Sequence, residues 1–170
     1  SCILGTGSNC AYFDGKTNHQ ITNSLGHLFG DEGSGYDLGK SLLVQYFQNN
    51  LSSEIEEIIE NKTQMNKEQL LSFIYSSSNQ KLYIASFSFL LTEHAEKKEI
   101  AKIIYDSIES FLENHPFQYS DFQSVKFGFV GGVAFHFQSH IISIMKKNKL
   151  DYIILDKPIT YLLEYYQSFH

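Results

Sequence analysis

Two adjacent acids lie among four glycines in the segment GHLFGDEGSG, which spans residues 26–35. The acids are Asp31 and Glu32. A helix N-terminus, whose dipole favours acids, accounts for one of them and for a capping role of Ser34, but not for so much glycine. An aspartate on a glycine-rich backbone can accept hydrogen bonds from sugar hydroxyls or hold Mg²⁺ through water. We therefore interpret this segment as a ligand-binding loop.

Two further glycine-rich turns follow predicted strands. In GTGSN, residues 5–9, small residues let backbone N–H groups approach an anion, and Thr6 and Ser8 add hydroxyl donors. In GFVGGVA, residues 128–134, a strand ends in two glycines and enters a helix, so that a flat ligand can lie against the backbone. The alternative to a ligand-binding role is an ordinary hairpin turn for residues 5–9 and close packing of the strand on the helix for residues 128–134. Three such turns at strand ends favour a shared site, since ligands of α/β folds collect there.

The elements that must position these turns follow from the apolar pattern. The first 24 residues predict three strands in an antiparallel meander, from the runs CILG, CAYFD and HQITNS. Helical spacing then predicts helices over 34–49 and 81–114, the second with a break near His94, and two shorter helices in an insertion over 51–78. The end of the chain predicts parallel strands Ser124–Val130 and Asp151–Leu155, and helices Ala134–Lys147 and Pro158–Phe169.

The composition of the chain argues against some classes of function. The 170 residues suffice for one domain, and 42% of them are hydrophobic. The net charge of -6 argues against nucleic acid as a partner. Cys2 and Cys10 are too few for a disulfide framework, which favours a reducing cytoplasm. No apolar run approaches the roughly 20 residues of a membrane helix, so no membrane partner is expected.

The order of the motifs resembles a known family. ILGTGSNC, GHLFGDEGSGYDLG and GFVGGV follow one another as in the N-acetylglucosamine kinase branch of the sugar kinase, Hsp70 and actin superfamily, which includes the BadF/BadG/BcrA/BcrD ATPase grouping. The resemblance implies an α/β, ribonuclease H-like (actin-like ATPase) lobe. In this lobe a mixed five-stranded sheet has three antiparallel and then two parallel strands, with helices on both faces and a helical insertion. It also implies that residues 1–170 form the C-terminal lobe of a two-lobed kinase and that the N-terminal lobe lies outside them.

The same resemblance implies roles for individual residues and for cofactors. ATP with Mg²⁺ would phosphorylate an amino sugar, and the catalytic base would come from the N-terminal lobe, so the chain alone would be inactive. The phosphate- and ATP-binding residues would be Gly5, Thr6, Gly7, Ser8, Gly131, Gly132 and Val133. The sugar-binding residues would be Thr6, Gly7, Asn9, Cys10, Asp31 and Gly35. Many relatives carry Gly-Gly-Trp where this chain has Asn23-Ser24-Leu25, which leaves the sugar open.

Several alternatives stay open. The sugar is N-acetylglucosamine in the main interpretation, and glucosamine or N-acetylmuramic acid in the alternative; a non-catalytic sugar or nucleotide sensor with the same fold is the second alternative. His136 and His140 have the spacing of a metal pair, but no third ligand follows, and we expect no protein-held metal. The segment YLLEYYQSF, residues 161–169, offers a packing surface for the first lobe or for a second copy in a homodimer.

Overall fold

A mixed four-stranded sheet carries the glycine-rich turns. A computed structural model of the protein describes residues 1–20, 22–156, 158–160 and 167. The sheet has the order β2-β1-β5-β6, formed by β1 (Cys2–Leu4), β2 (Ser8–Cys10), β5 (Phe127–Val130) and β6 (Tyr152–Leu155). Strand β1 pairs antiparallel with β2 and parallel with β5, and β5 pairs parallel with β6. The predicted antiparallel-then-parallel arrangement is therefore confirmed.

The second and third predicted strands are largely absent from this sheet, since only Cys10 of the run CAYFD lies in β2. In the described residues the run after Ala11 forms a separate two-stranded ribbon of β3 (Tyr12–Phe13) and β4 (Asn18–His19), so the main sheet has four strands where five were expected. Both residues of β4 are exposed, which leaves this strand no apolar face to bury against the core. Without such a face, its pairing extends no further than its own hairpin.

The longer helices follow the predicted pattern, whereas a four-residue helix at Gly26–Phe29 lies in the segment for which the sequence predicts a loop. They are α1 (Gly26–Phe29), α2 (Gly35–Phe47), α3 (Ser53–Thr63), α4 (Lys67–Ser76), α5 (Gln80–Ser86), α6 (Ser88–Glu93), α7 (Lys98–Asn114), α8 (Gly132–His136) and α9 (Gln138–Lys147). The expected break near His94 is present, and the stretch before it is divided again at Phe87. The predicted helix Ala134–Lys147 begins two residues earlier and is divided at Phe137. Most of the predicted helix Pro158–Phe169 lies outside the described residues.

Local chemistry explains where the helices begin. The Ser34 hydroxyl accepts the N–H of Asp37 and caps α2, as its position predicts. At the start of α4, Asn66 and Gln69 form a reciprocal capping box. Gly39 lets α2 pack closely on α5, because a methyl group there would overlap the carbonyl of Ile84.

The core lies between the sheet and the longer helices. The apolar side chains that α7 and α9 bury recur at helical spacing: Ile100, Ile103, Ile104, Ile108, Phe111 and Leu112 on α7, and Ile141, Ile144 and Met145 on α9. In the part of the chain that the structure describes, no helix is long and apolar enough to cross a membrane. The sheet places the turn between β1 and β2 beside α2, and the turn after β5 leads directly into α8.

Candidate functional site

The turn after β1 is tied to the beginning of α2. The carbonyl of Gly5 accepts the N–H of Gly35 at 2.7 Å, and the carbonyl of Thr6 accepts the N–H of Tyr36 at 3.3 Å. Inside the turn, the N–H of Gly5 donates to the carbonyl of Gly7 at 2.9 Å. The first amides of α2 are thus satisfied by this turn, which fixes the loop of residues 5–8 against the helix.

Asp31 links that loop to the second glycine-rich segment. Its backbone has a φ of 63°, and its side chain is 6% exposed. Oδ1 accepts the backbone N–H of Ser8 at 3.1 Å, and Oδ2 lies 3.0 Å from Nζ of Lys81. A methyl group on Gly7 would lie 3.0–3.2 Å from the Asp31 carboxylate, so glycine leaves the space that this carboxylate occupies. The two motifs therefore form one site.

Lys81 is a site residue that the sequence did not reveal. It lies in the first turn of α5, 50 residues from Asp31, in a stretch that looks like an ordinary helix with a solvated face. Its side chain is 36% exposed, and its ammonium group donates to Asp31. No local motif marks this lysine, because only the packing of α5 on α2 brings it to the loop.

The hydroxyl of Ser8 is the unusual polar group of this loop. Among the described residues, its Oγ is the buried side-chain oxygen or nitrogen atom that lacks a hydrogen-bond partner. Leaving a hydroxyl buried and unpaired costs about 1–3 kcal/mol, so such atoms mark places where a partner is expected. A phosphate oxygen at the loop would supply that partner.

The third glycine-rich turn closes the same region. Gly131 has a φ of 110°, and a methyl group there would overlap the carbonyl of Leu4, so β1 and the turn after β5 touch at this glycine. Gly132 has no atom within 4 Å of its missing Cβ and faces open space. A cavity of about 400 Å³ lies in front of it. Its wall includes Gly5, Thr6, Gly35, Gly132 and Val133, together with residues of α5, α6 and α8.

A polar network behind the loop holds it in place. Asp37 accepts the hydroxyl of Ser107 at 2.6 Å and the N–H of Gly33 at 3.3 Å, and the Ser107 Oγ also accepts that N–H. Burial raises the pKa of the Asp37 carboxyl above its ordinary value. The Glu32 carboxylate has a different partner from Asp31: its Oε2 lies 3.2 Å from Nε2 of His115. The two adjacent acids therefore face different surroundings.

Asn9 and Cys10 lie on the outer strand of this hairpin. Oδ1 of Asn9 accepts the Gln20 side-chain amide and the N–H of Cys10, both at 2.8 Å. The Cys10 side chain is buried against Cys2, 3.8 Å from it, and borders a different cavity from the one in front of Gly132. A role of either side chain on the sugar side stays a prediction.

The site suits Mg²⁺ that is carried by a nucleotide. Among the described residues, no group of three or more His, Cys, Asp or Glu side chains could hold a metal by itself. Magnesium in kinase sites keeps several waters and binds mainly through substrate phosphates, so a bound nucleotide would bring it to this loop.

Comparisons with known proteins point to one class of enzyme. The chain is 29% identical over 125 residues to a curated protein of Clostridium acetobutylicum named N-acetylmuramic acid/N-acetylglucosamine kinase, a match that covers 65% of this chain and 41% of that protein. It superposes with a TM-score of 0.89 and 27% identity on the crystal structure of a protein from Porphyromonas gingivalis described as a candidate N-acetylglucosamine kinase. No family model matches the chain.

Both matches cover only a part of the relative's own length. The superposition covers 98% of this chain and 59% of the P. gingivalis protein. The chain thus spans less than two thirds of the length of either relative. Over nearly its whole length, it is similar to a part of the P. gingivalis protein.

Proposed function

We propose that the protein to which this chain belongs transfers the γ-phosphoryl group of ATP to a hydroxyl of an amino sugar, with N-acetylglucosamine as the main substrate. One observation carries the proposal: Oδ1 of Asp31 accepts the backbone N–H of Ser8 at 3.1 Å. A carboxylate suited to sugar hydroxyls therefore lies directly beside a loop suited to phosphates. The names of the two relatives support the same pair of ligands.

The phosphates belong at the loop of residues 5–8. Gly5, Thr6, Gly7 and Ser8 form a loop without bulky side chains. Because the N–H groups of Gly5 and Ser8 already donate to the Gly7 carbonyl and to Asp31, we assign the N–H groups of Thr6 and Gly7 and the buried, unpartnered Ser8 hydroxyl to the phosphates. The adenosine belongs in the cavity of about 400 Å³, against the open face of Gly132 and beside Val133. Gly131 then serves this site indirectly, by bringing the turn after β5 against β1.

The sugar belongs on the side of the loop where Asp31 lies. A carboxylate has about four lone-pair positions, and Ser8 and Lys81 occupy only two of them. The remaining positions can accept sugar hydroxyls, and Lys81 keeps the carboxylate oriented towards the loop. Following the resemblance, we also assign Thr6, Gly7, Asn9, Cys10 and Gly35 to the sugar side. Of these, Thr6 and Gly35 also line the cavity assigned to adenosine, and the side chain of Cys10 borders the other cavity.

Phosphoryl transfer at such a site rests on position and charge. The loop amides would hold the migrating phosphoryl group in line with the sugar hydroxyl that Asp31 orients. Mg²⁺ carried with ATP would neutralise charge on the phosphate oxygens. The base that accepts the hydroxyl proton would come from an N-terminal lobe outside these residues, so this chain alone is expected to be inactive.

The wider placement of the protein is part of the same proposal. We assign the chain as the ribonuclease H-like C-terminal lobe of a two-lobed kinase of the BadF/BadG/BcrA/BcrD grouping, with its own N-terminal lobe as the first partner and a second copy as a further one. A cytoplasmic location suits an enzyme that uses ATP. The match over 59% of the P. gingivalis protein supports the lobe assignment.

An activity screen of the full-length protein tests the proposed function. The purified protein is incubated with ATP and Mg²⁺ and with N-acetylglucosamine, N-acetylmuramic acid or glucosamine, and the sugar phosphates are identified by mass spectrometry. We expect N-acetylglucosamine to give the highest kcat/KM. Binding of sugar and ATP without product from any of the three sugars would contradict a kinase and favour a sensor.

A further inference from the structure

Cys2 and Cys10 face each other across the β1–β2 hairpin. They are direct partners in the register of the two strands, and their sulfur atoms lie 3.8 Å apart. Both thiols are free and buried. The hairpin that they join ends in the loop of residues 5–8, on which the proposed phosphate site is built.

The hydrogen bonds around the pair define its type. The neighbouring partners Ser1 and Ala11 exchange both backbone bonds: the Ser1 nitrogen donates to the Ala11 carbonyl at 2.6 Å, and the Ala11 N–H donates to the Ser1 carbonyl at 2.9 Å. Because hydrogen-bonded and non-hydrogen-bonded pairs alternate along an antiparallel ladder, Cys2 and Cys10 form a non-hydrogen-bonded pair. The N–H of Cys10 accordingly donates to the Asn9 side chain.

This type of pair suits a disulfide. Cα atoms of non-hydrogen-bonded partners lie roughly 4.5 Å apart, within the range of about 4.4–6.8 Å that disulfides span. The two sulfurs need to approach by under about 2 Å to reach bonding distance. We propose that Cys2 and Cys10 are a modification site, at which a small-molecule disulfide oxidises the pair to a reversible cross-strand disulfide within the β1–β2 hairpin.

A second cavity borders the pair and gives the oxidant its route of approach in this proposal. This cavity, of about 460 Å³, is lined by both cysteines and by Tyr12, Tyr119 and Phe127, and it is separate from the cavity beside Gly132. The oxidation does not use the kinase chemistry, so it stands independently of the proposed function.

The exchange proceeds in two steps. The Cys10 thiolate attacks one sulfur of the oxidant, forms a mixed disulfide and releases one thiolate, which takes up a proton. The Cys2 thiol then loses its proton and attacks the Cys10 sulfur, and the second thiolate of the oxidant leaves. Two protein thiols are oxidised, and one small disulfide is reduced to two thiols. The contact between the two thiols lowers the pKa of Cys10 and raises that of Cys2, which burial raises further, in agreement with this order of attack.

Glutathione titration of the full-length protein tests this inference. The reduced protein is equilibrated with mixtures of oxidised and reduced glutathione, free thiols are blocked with iodoacetamide, and the peptide that contains both cysteines is weighed after trypsin digestion. An internal disulfide gives a peptide that lacks the alkyl groups and is lighter by two hydrogen atoms than the reduced form. We expect this form to predominate and to disappear with dithiothreitol.

Matched variants and an unfolded control sharpen the test. The Cys2→Ser variant should stop at a glutathione adduct on Cys10, whereas the Cys10→Ser variant should react more slowly. Because short segments also form disulfides in unfolded chains, the titration is repeated in urea, and we expect the native equilibrium constant to exceed the unfolded one at least tenfold. Alkylation of both thiols in excess oxidised glutathione, adducts without an internal disulfide, or an equal constant in urea would overturn the proposal.

Discussion

The ammonium nitrogen of Lys81 lies 3.0 Å from Oδ2 of Asp31, although 50 residues separate the two in the sequence. The carboxylate is almost fully buried, whereas the lysine side chain remains 36% exposed. The pair joins α5 to the glycine-rich segment before α2. Lys81 therefore has the position of a residue that orients the carboxylate which we assign to the sugar.

Removing the ammonium group should weaken sugar binding more than nucleotide binding. In a Lys81→Met variant the Asp31 carboxylate keeps the N–H of Ser8 but loses its cationic partner. Water can partly replace that partner because Lys81 is exposed, so we expect KM for the sugar to rise roughly three- to tenfold. KM for ATP should change less than twofold. Steady-state kinetics on the full-length protein measure both constants.

Lys40→Met is the matched control for this prediction. Lys40 is an exposed lysine on α2 whose Nζ lies 5.9 Å from the centre of the Tyr36 ring, and no ion pair with Asp31 involves it among the described residues. This variant should keep both KM values. A larger change in KM for ATP than for the sugar in the Lys81→Met variant would place the lysine at the phosphates instead.

Ser8→Ala should affect stability and activity differently. The Ser8 hydroxyl is buried without a partner, so its removal should leave the free energy of unfolding unchanged or raise it by up to about 1 kcal/mol. If that hydroxyl serves a phosphate oxygen, kcat/KM for ATP should fall roughly ten- to a hundredfold. Urea unfolding and steady-state kinetics give the two values.

Ser34→Ala provides the contrast to Ser8→Ala. The Ser34 hydroxyl caps α2 by accepting the N–H of Asp37, and its loss should lower the free energy of unfolding by about 1 kcal/mol. If Ser8→Ala destabilised the protein as much as Ser34→Ala does, the Ser8 hydroxyl would have a structural partner, and its assignment to phosphate would lose its basis.

The two glycines after β5 should respond in different ways to alanine. Gly131 has a φ of 110°, and a methyl group there would overlap the Leu4 carbonyl, so Gly131→Ala should lower the free energy of unfolding by about 3 kcal/mol or more. A methyl group on Gly132 meets no protein atom within 4 Å. Gly132→Ala should therefore stay within about 0.5 kcal/mol of wild type.

Nucleotide binding separates these variants further. The Gly132 position faces the cavity assigned to adenosine, so Gly132→Ala should raise KM for ATP several-fold in a protein of normal stability. Thermal unfolding and kinetics on both variants provide the readouts. An unchanged KM for ATP in Gly132→Ala would remove the adenosine from this cavity.

The burial of Asp37 predicts how the stability of the protein changes with pH. Burial raises its pKa above the ordinary value of 3.8, so the folded protein binds this proton more tightly than the unfolded chain does. The stabilisation is complete below the unfolded pKa and is lost as the pH rises through the folded pKa. Relative to an Asp37→Asn variant, wild type should therefore lose stability as the pH rises from about 3.8 towards neutrality.

Urea unfolding of both proteins across this pH range checks the prediction. Asp106→Asn, which alters an exposed carboxylate on α7, is the matched control and should track wild type. If wild type instead gained stability over Asp37→Asn with rising pH, the hydrogen bonds from Ser107 and Gly33 would outweigh burial at Asp37.

The sequence was most informative where backbone chemistry is local. The helices over 34–49, 51–78 and 81–114, the cap by Ser34 and the parallel strands near the end of the chain follow from spacing, capping residues and chain order. The coming together of the three glycine-rich turns was also predictable, since turns at strand ends meet at the edge of a sheet. The prediction that a third antiparallel strand joins the main sheet was wrong, because β4 has two exposed polar residues and no apolar face to bury.

The sequence was least informative for contacts between distant helices. Lys81 looks like any lysine on a helix, and the pairing of Glu32 with His115 crosses more than 80 residues. Such contacts depend on how α5 and α7 pack around the glycine-rich segment, and no local pattern encodes that packing. Glycine marks the loop, but the charged groups that hold it come from elsewhere in the chain.

Calorimetric titration of Asp31→Ala in the full-length protein, with sugar and with a non-hydrolysable ATP analogue in separate experiments, tests the central claim most directly. A charge-assisted hydrogen bond contributes about 1.5–3 kcal/mol, so we expect the sugar Kd to rise by roughly one to two powers of ten. The Kd of the ATP analogue should change far less, and circular dichroism should show an intact fold. A collapse of nucleotide affinity with unchanged sugar affinity would assign Asp31 to the metal and phosphates and contradict the sugar site.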